Sequence, residues 1–253
     1  MDLGLMGKKA IVTGGTRGIG RAIVEQLAAE GCDIALCARN KAQVDETVAA
    51  LGVKGVNAIG GAVDVADTSA LRGWVGDAVK ALGGLDIFVA NVSALAMGVD
   101  EESWRRSLEI DIMGTVFGVE AALPFLERSS AGAVVVIGTT GLVEIAGPTR
   151  PYASVKAALV PYVKALARNL ATKKIRANMV SPGTIFFKGG VWDVTQQRNP
   201  DIYKAALARN PTGRMGTPEE VANAVAFLAS PRASFISGTN LIVDGALTQR
   251  VQF

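Results

Sequence analysis

The 253-residue sequence contains no histidine and only two cysteines. Without histidine, neither a Ser-His-Asp triad nor a histidine-containing zinc site can be assembled. Proton transfer near neutral pH then falls to tyrosine, lysine, carboxylates or water. Cys32 and Cys37 form no CxxC pair, and their separation would point them to opposite faces of one strand, so they read as structural thiols. Charged residues are 19% of the chain against 49% hydrophobic, which is too little charge for disorder and ample for a core. The net charge of +3 is spread out, and the densest basic cluster, Lys173, Lys174 and Arg176, is shorter than a nucleic-acid arm, so no nucleic-acid partner is expected. Apolar runs such as Ala133 to Ile137 are far too short to span a bilayer, and no membrane partner is expected. The start, MDLGLMGKKAIVTGG, reaches glycines too soon for a signal peptide, which implies a cytoplasmic protein.

What the chain does have is alternation. Short runs rich in Val and Ile are separated by longer Ala-rich stretches of helical spacing, the pattern of a parallel sheet with crossover helices. Seven strands are expected, at Lys9 to Thr13, Asp33 to Ala38, Asn57 to Val63, Asp86 to Ala90, Ala133 to Gly138, Arg176 to Ser181 and Asn240 to Val243. Several are apolar on both faces, so helices should cover both sides of the sheet. No linker or repeat interrupts the pattern, and the fold class is a single α/β domain with a doubly wound sheet. Thr217-Pro218-Glu219-Glu220 marks a helix start, with an N-cap threonine, a proline at N1 and a capping-box glutamate. Residues 184–216 lack so clear a pattern yet hold Phe186, Phe187, Trp192 and Tyr203. Long irregular segments in compact domains are usually functional, and this one is expected to form a mobile flap over the site.

The first strand ends in Thr13-Gly14-Gly15-Thr16-Arg17-Gly18-Ile19-Gly20 and passes straight into a helical pattern. Glycines let backbone approach a pyrophosphate, and free N–H groups at a helix start supply donors and partial positive charge. Glycines alone also serve tight turns, but the strand-turn-helix context is the confirming one. The spacing is TGxxxGxG, and further on stand Tyr152 and Lys156 as YxxxK, Asp64-Val65, Ala90-Asn91, Ser181-Pro182-Gly183, the run Gly213 to Glu220, and Val243-Asp244-Gly245. Together these resemble the short-chain dehydrogenase/reductase family over nearly the whole chain, and within it the 3-oxoacyl-acyl-carrier-protein reductases.

The resemblance implies a Rossmann-type fold and a dinucleotide held by Gly14, Thr16, Arg17, Gly18, Ile19 and Gly20. An NAD-specific site places a carboxylate at the end of the second strand, whereas this chain reads Cys37-Ala38-Arg39-Asn40 there. Arg39 and Arg17 offer planar forks suited to a 2′-phosphate, although an arginine at a strand end also merely solvates it. NADP (as NADPH) is therefore expected in preference to NAD. By resemblance, Asn40 belongs to the same cofactor edge, Asp64 and Val65 contact the adenine, Asn91 the ribose region, and Pro182, Gly183, Thr184 and Ile185 the nicotinamide side. Two departures stand out. The family's NNAG reads Ala90-Asn91-Val92-Ser93, crowding the floor of the site, and the threonine usual four residues after Gly183 is Phe187.

Tyr152 and Lys156 share one face of a helix beginning near Tyr152. A nearby ammonium and a helix N-terminus both favour phenolate, which makes the pair a tuned general acid. By resemblance Tyr152 protonates a carbonyl oxygen while Lys156 also bonds the nicotinamide ribose. The family's serine is replaced by Thr139 or its neighbour Thr140, of which Thr139 is preferred. The family's asparagine is replaced by Asp111, which would either ionise and partly neutralise Lys156 or stay protonated and imitate the amide.

The expected pocket is apolar, lined by Leu95, Met97, Val143, Phe187 and Trp192, which suits a hydrophobic ketone or an acyl thioester. The leading expectation is reduction of a ketone or 3-oxoacyl group. Oxidation of a cyclic or steroid-like secondary alcohol, and a non-catalytic NADPH-binding sensor, remain open alternatives. The family's habit of pairing the helix from Thr115 to Arg128 and the one after Tyr152 across two-fold axes implies a homo-oligomer, a tetramer or dimer.

Overall fold

The computed structural model describes residues 1–145 and 150–251. Seven strands form one sheet: β1 (Lys9–Thr13), β2 (Asp33–Ala38), β3 (Ala58–Ala62), β4 (Ile87–Ala90), β5 (Ala133–Ile137), β6 (Arg176–Pro182) and β7 (Asn240–Val243). Their order across the sheet is β3-β2-β1-β4-β5-β6-β7, and every pairing is parallel. The strands fall where the apolar runs place them, with ends moved by a residue.

Among the described residues ten α-helices connect them: α1 (Gly18–Ala29), α2 (Lys41–Gly52), α3 (Thr68–Leu82), α4 (Glu101–Ser107), α5 (Gly114–Leu126), α6 (Pro151–Lys156), α7 (Leu159–Leu170), α8 (Val191–Arg198), α9 (Pro200–Ala208) and α10 (Pro218–Ala229). Strand residues alternate between two cores. Ile11, Phe88, Val134 and Val136 pack with Leu71 and Val75 of α3, Val119 of α5 and Leu166 of α7. Val12, Val89, Val135 and Val180 pack with Ile23 and Leu27 of α1 and Val221 and Val225 of α10. Cys37 joins the first core and Cys32 the second, both as free thiols pushed up to about 12 by burial.

The capping signal before α10 is used: the Glu220 carboxylate accepts the Thr217 N–H at 2.9 Å and pairs with Arg214. The segment expected to be irregular instead builds α8 and α9, neither of which carries a buried residue. Its two stems are joined, with Gly216 N–H donating to Thr184 O and Phe186 N–H to Gly216 O, both at 2.9 Å. Among the described residues no helix is long and apolar enough to cross a membrane, and no cluster of potential metal ligands is present.

The order of the strands reverses between β1 and β4, which leaves a crevice at their carboxyl ends. In open α/β sheets this switch point is where ligands bind.

Candidate active site

The glycine turn sits at the switch point and is fixed from two sides. Gly14 N–H donates to Cys37 O of β2 at 2.7 Å. From β4, the Asn91 side-chain amide donates to Thr13 O and Gly14 O, each at 3.1 Å, and the Asn91 N–H donates to the Thr13 hydroxyl at 3.1 Å. Asn91, expected near a ribose, thus holds the turn itself. A Cβ on Gly20 would lie 2.0 Å from Gly14 O, so only glycine allows α1 to start this close to β1. Val92, which stands where the family's NNAG has its alanine, packs its Cγ2 3.0 Å from where a Gly14 Cβ would be. Arg17 is the N-cap of α1 but its side chain makes no cap bond, and the first turn holds no acid. The helix start is left with donors and positive partial charge and no protein anion, which fits a pyrophosphate.

The remaining cofactor-edge residues are dispersed around this turn. Arg17 and Arg39 are exposed, and among the described residues neither guanidinium is bonded to a protein acceptor. Asn40 caps α2, accepting Gln43 N–H at 3.2 Å. Asp64 accepts the Ala66 N–H through one oxygen, and Val65 is core, packed against Gly114. Pro182 closes β6, and the Gly183 N–H donates to Val243 O at 3.0 Å. The Thr184 hydroxyl donates to Asn210 Oδ1 at 2.8 Å, tying one stem of the 184–216 segment to the end of α9, and Ile185 is buried beside it.

The five expected pocket residues stand on different parts of the fold. Leu95 and Met97 are exposed on the β4–α4 connection, where Leu95 adopts a positive φ of 47° that a branched side chain tolerates poorly. Val143 follows the short turn Thr140–Leu142, and Trp192 lies on α8. The Phe187 ring is held between Gly18 and Gly190, and a Cβ on either glycine would come within 2.5 Å or 2.8 Å of it. The residue replacing the family's threonine is therefore an apolar contact between the glycine turn and the segment over it.

The proton-handling groups converge at the end of β5. Pro151 at N1 sets the start of α6 and places Tyr152 in its first turn. Pro161 cannot donate to Ala157 O, and the helix breaks there, with Val160 N–H bonding Ala157 O instead. Lys156 is buried, and its Nζ donates to Ile137 O at 2.9 Å. The same Nζ lies 5.9 Å from the Tyr152 ring centroid and 3.6 Å from Asp111 Oδ1. Asp111 is on a π-helical turn, Leu108–Met113, that joins α4 to α5. Such turns widen a helix and occur often at functional sites. Burial pushes the half-buried Tyr152 phenol up to about 12, the Asp111 charge adds to the rise, and the Thr139 hydroxyl opposes it. Burial pulls the Lys156 ammonium down, and Asp111 opposes that. Thr139, not Thr140, is the hydroxyl that bears on Tyr152, and it also accepts the Gly141 N–H at 3.3 Å. The Ile137 carbonyl and the Ala94 N–H, which hold Lys156 and Asp111, have no sequence signal because they are backbone groups.

A parallel sheet with its glycine turn and a YxxxK pair at one end is the architecture of a dinucleotide-dependent oxidoreductase. A family model described as enoyl-(acyl carrier protein) reductase matches residues 14–248. Isoepoxydon dehydrogenase patN of Penicillium expansum is 38% identical over 257 residues, covering 100% of this chain and 99% of that protein. The 3-oxoacyl-[acyl-carrier-protein] reductase FabG of Staphylococcus aureus is 32% identical, covering 96% and 98%. The crystal structure of L-sorbose reductase from Gluconobacter frateurii, complexed with NADPH and L-sorbose, superposes with a TM-score of 0.90 at 31% identity, covering 99% and 100%. The chain belongs to the short-chain dehydrogenase/reductase family of oxidoreductases.

Proposed function

We propose that the chain reduces a ketone or 3-oxoacyl group to a secondary alcohol with NADPH, Tyr152 giving its proton to the carbonyl oxygen. The observation that carries this reading is the Tyr152–Lys156 pair, with the ammonium bonded to Ile137 O and the phenol facing Thr139 beside the switch-point crevice. The bound dinucleotide supplies the hydride.

The chain's own residues do the rest. The uncapped start of α1 and the glycine turn bind the pyrophosphate, and Arg17 and Arg39 are the free cations that favour a 2′-phosphate. Lys156 reaches the ribose and polarises Tyr152. Thr139 holds the carbonyl oxygen by a hydrogen bond. The phenol, pushed up to about 12 by burial, is protonated at neutral pH, and a cation beside it lowers the cost of giving that proton up. The relatives support the same chemistry, since one is a reductase of 3-oxoacyl groups and another carries NADPH with a sugar ketone.

The test is NADPH oxidation against a panel of ketones and 3-oxoacyl thioesters, with Tyr152→Phe in parallel. We expect the variant to lose about 100-fold or more in kcat/KM, the range of a general acid. A Tyr152→Phe protein as fast as its parent would overturn the reading.

A further inference from the structure

We infer that Asp111 enters this site ionised, as the buried counter-charge of Lys156, so that proton delivery is run by a carboxylate, an ammonium and a phenol together. The inference rests on the reading of Tyr152 and Lys156 given above and concerns what the third group does to them.

The geometry favours the carboxylate over the neutral acid. Asp111 is fully buried, and its Oδ2 accepts the Ala94 N–H at 3.4 Å, so a carboxyl hydrogen would have to sit on Oδ1. Among the described residues Oδ1 has no hydrogen-bond partner, and the charged group facing it, 3.6 Å away, is the Lys156 ammonium, itself a donor. A hydrogen on Oδ1 would meet another hydrogen. Lys156 for its part is buried with a single carbonyl acceptor, and an ammonium so placed needs an anion nearby.

The groups facing the pair are few. Helix α6 contributes Tyr152 and Lys156, the end of β5 the Ile137 carbonyl and Thr139 hydroxyl, and the β4–α4 connection the Ala94 N–H. Ser107, four residues before Asp111, is also buried and its hydroxyl has no hydrogen-bond partner among the described residues. Among the described residues, Asp111 is the one charged side chain that acts on both Tyr152 and Lys156.

Two consequences have the same sign. The carboxylate keeps Lys156 protonated against burial, and it resists formation of phenolate at Tyr152. Both extend the pH range over which the pair holds all its protons. An amide at 111 would do neither, and the coupled pair would lose its first proton at lower pH. Asp111 is thus a positioning residue that widens the range for reduction on the alkaline side.

Asp111→Asn tests this in reduction. The alkaline limb of kcat/KM is expected to move down by about one pH unit or more. Superimposable profiles overturn the inference. A second measurement needs no turnover: melting temperatures of Asp111→Asn, Lys156→Met and the double variant. Removing one member of a buried ion pair should lower melting by roughly 5 °C or more, and the double variant should recover most of the loss. Lys156→Met should also regain stability as the pH falls and the stranded carboxylate takes up a proton. Additive losses without pH dependence overturn the ionised assignment. Full activity of Tyr152→Phe, with a non-additive melting cycle, would instead remove the catalytic reading and leave the buried ion pair standing.

Discussion

Thr139 shows how a single side chain divides its work. Its oxygen accepts the Gly141 N–H at 3.3 Å, which leaves its hydrogen free to be directed at an oxygen beside Tyr152. The extra methyl relative to serine fixes χ1 without removing the donor. Thr139→Ser should therefore stay within a few-fold of the parent in kcat/KM, whereas Thr139→Ala should fall by about tenfold or more as the hydrogen bond to the substrate oxygen is lost. Steady-state kinetics on any ketone the parent reduces would decide it, and equal values for serine and alanine would contradict the assignment. At this scale the sequence was informative wherever spacing carries the chemistry. Tyr152 and Lys156 are one helical turn apart, so their convergence could be read directly. The choice between Thr139 and Thr140 depended on the loop after β5. The position of Phe187 depended on Gly18 and Gly190, which are far apart in sequence and meet only in the fold.

Among the elements, legibility followed burial. The inner strands β1, β2, β4, β5 and β6 are apolar because the sheet is covered on both faces there, and their pattern survives in the chain. Helices α8 and α9 bury nothing, so no apolar stripe announced them and the segment looked irregular. The break between α6 and α7 follows from Pro161. Another junction rests on one side chain, Arg176. Its guanidinium donates to Leu228 O at 2.5 Å, Ala229 O at 3.1 Å and Ser230 O at 3.0 Å, closing the carbonyl end of α10 against the start of β6. A fork can reach three carbonyls where an ammonium cannot hold the same geometry. Arg176→Met should cost about 2–3 kcal/mol and lower the melting temperature by roughly 4–10 °C. Scanning calorimetry would measure it, and a change within about 1 °C would show that solvent satisfies those carbonyls equally well.

For the molecule as a whole, the sheet order places β1 through β3 on one side of the switch point and β4 through β7 on the other. A ligand lying across the carboxyl ends would touch the glycine turn after β1, Arg39 after β2 and the group around Lys156 after β5. Its binding free energy is then distributed over elements from both sides and should stabilise the chain against global unfolding. At a concentration about 100 times its Kd, a ligand bound only by the folded state adds about 2.7 kcal/mol. In a chain of this size that corresponds to roughly 5–10 °C. NADPH should give such a shift, and NADH at the same concentration a smaller one, because Arg17 and Arg39 have no 2′-phosphate to hold. Replacing Arg39 with alanine should bring the NADPH shift down toward that of NADH and leave the NADH shift nearly unchanged. Equal shifts from the two dinucleotides in the parent would remove the preference argued from these arginines, and no shift from either would mean that the start of α1 holds no pyrophosphate.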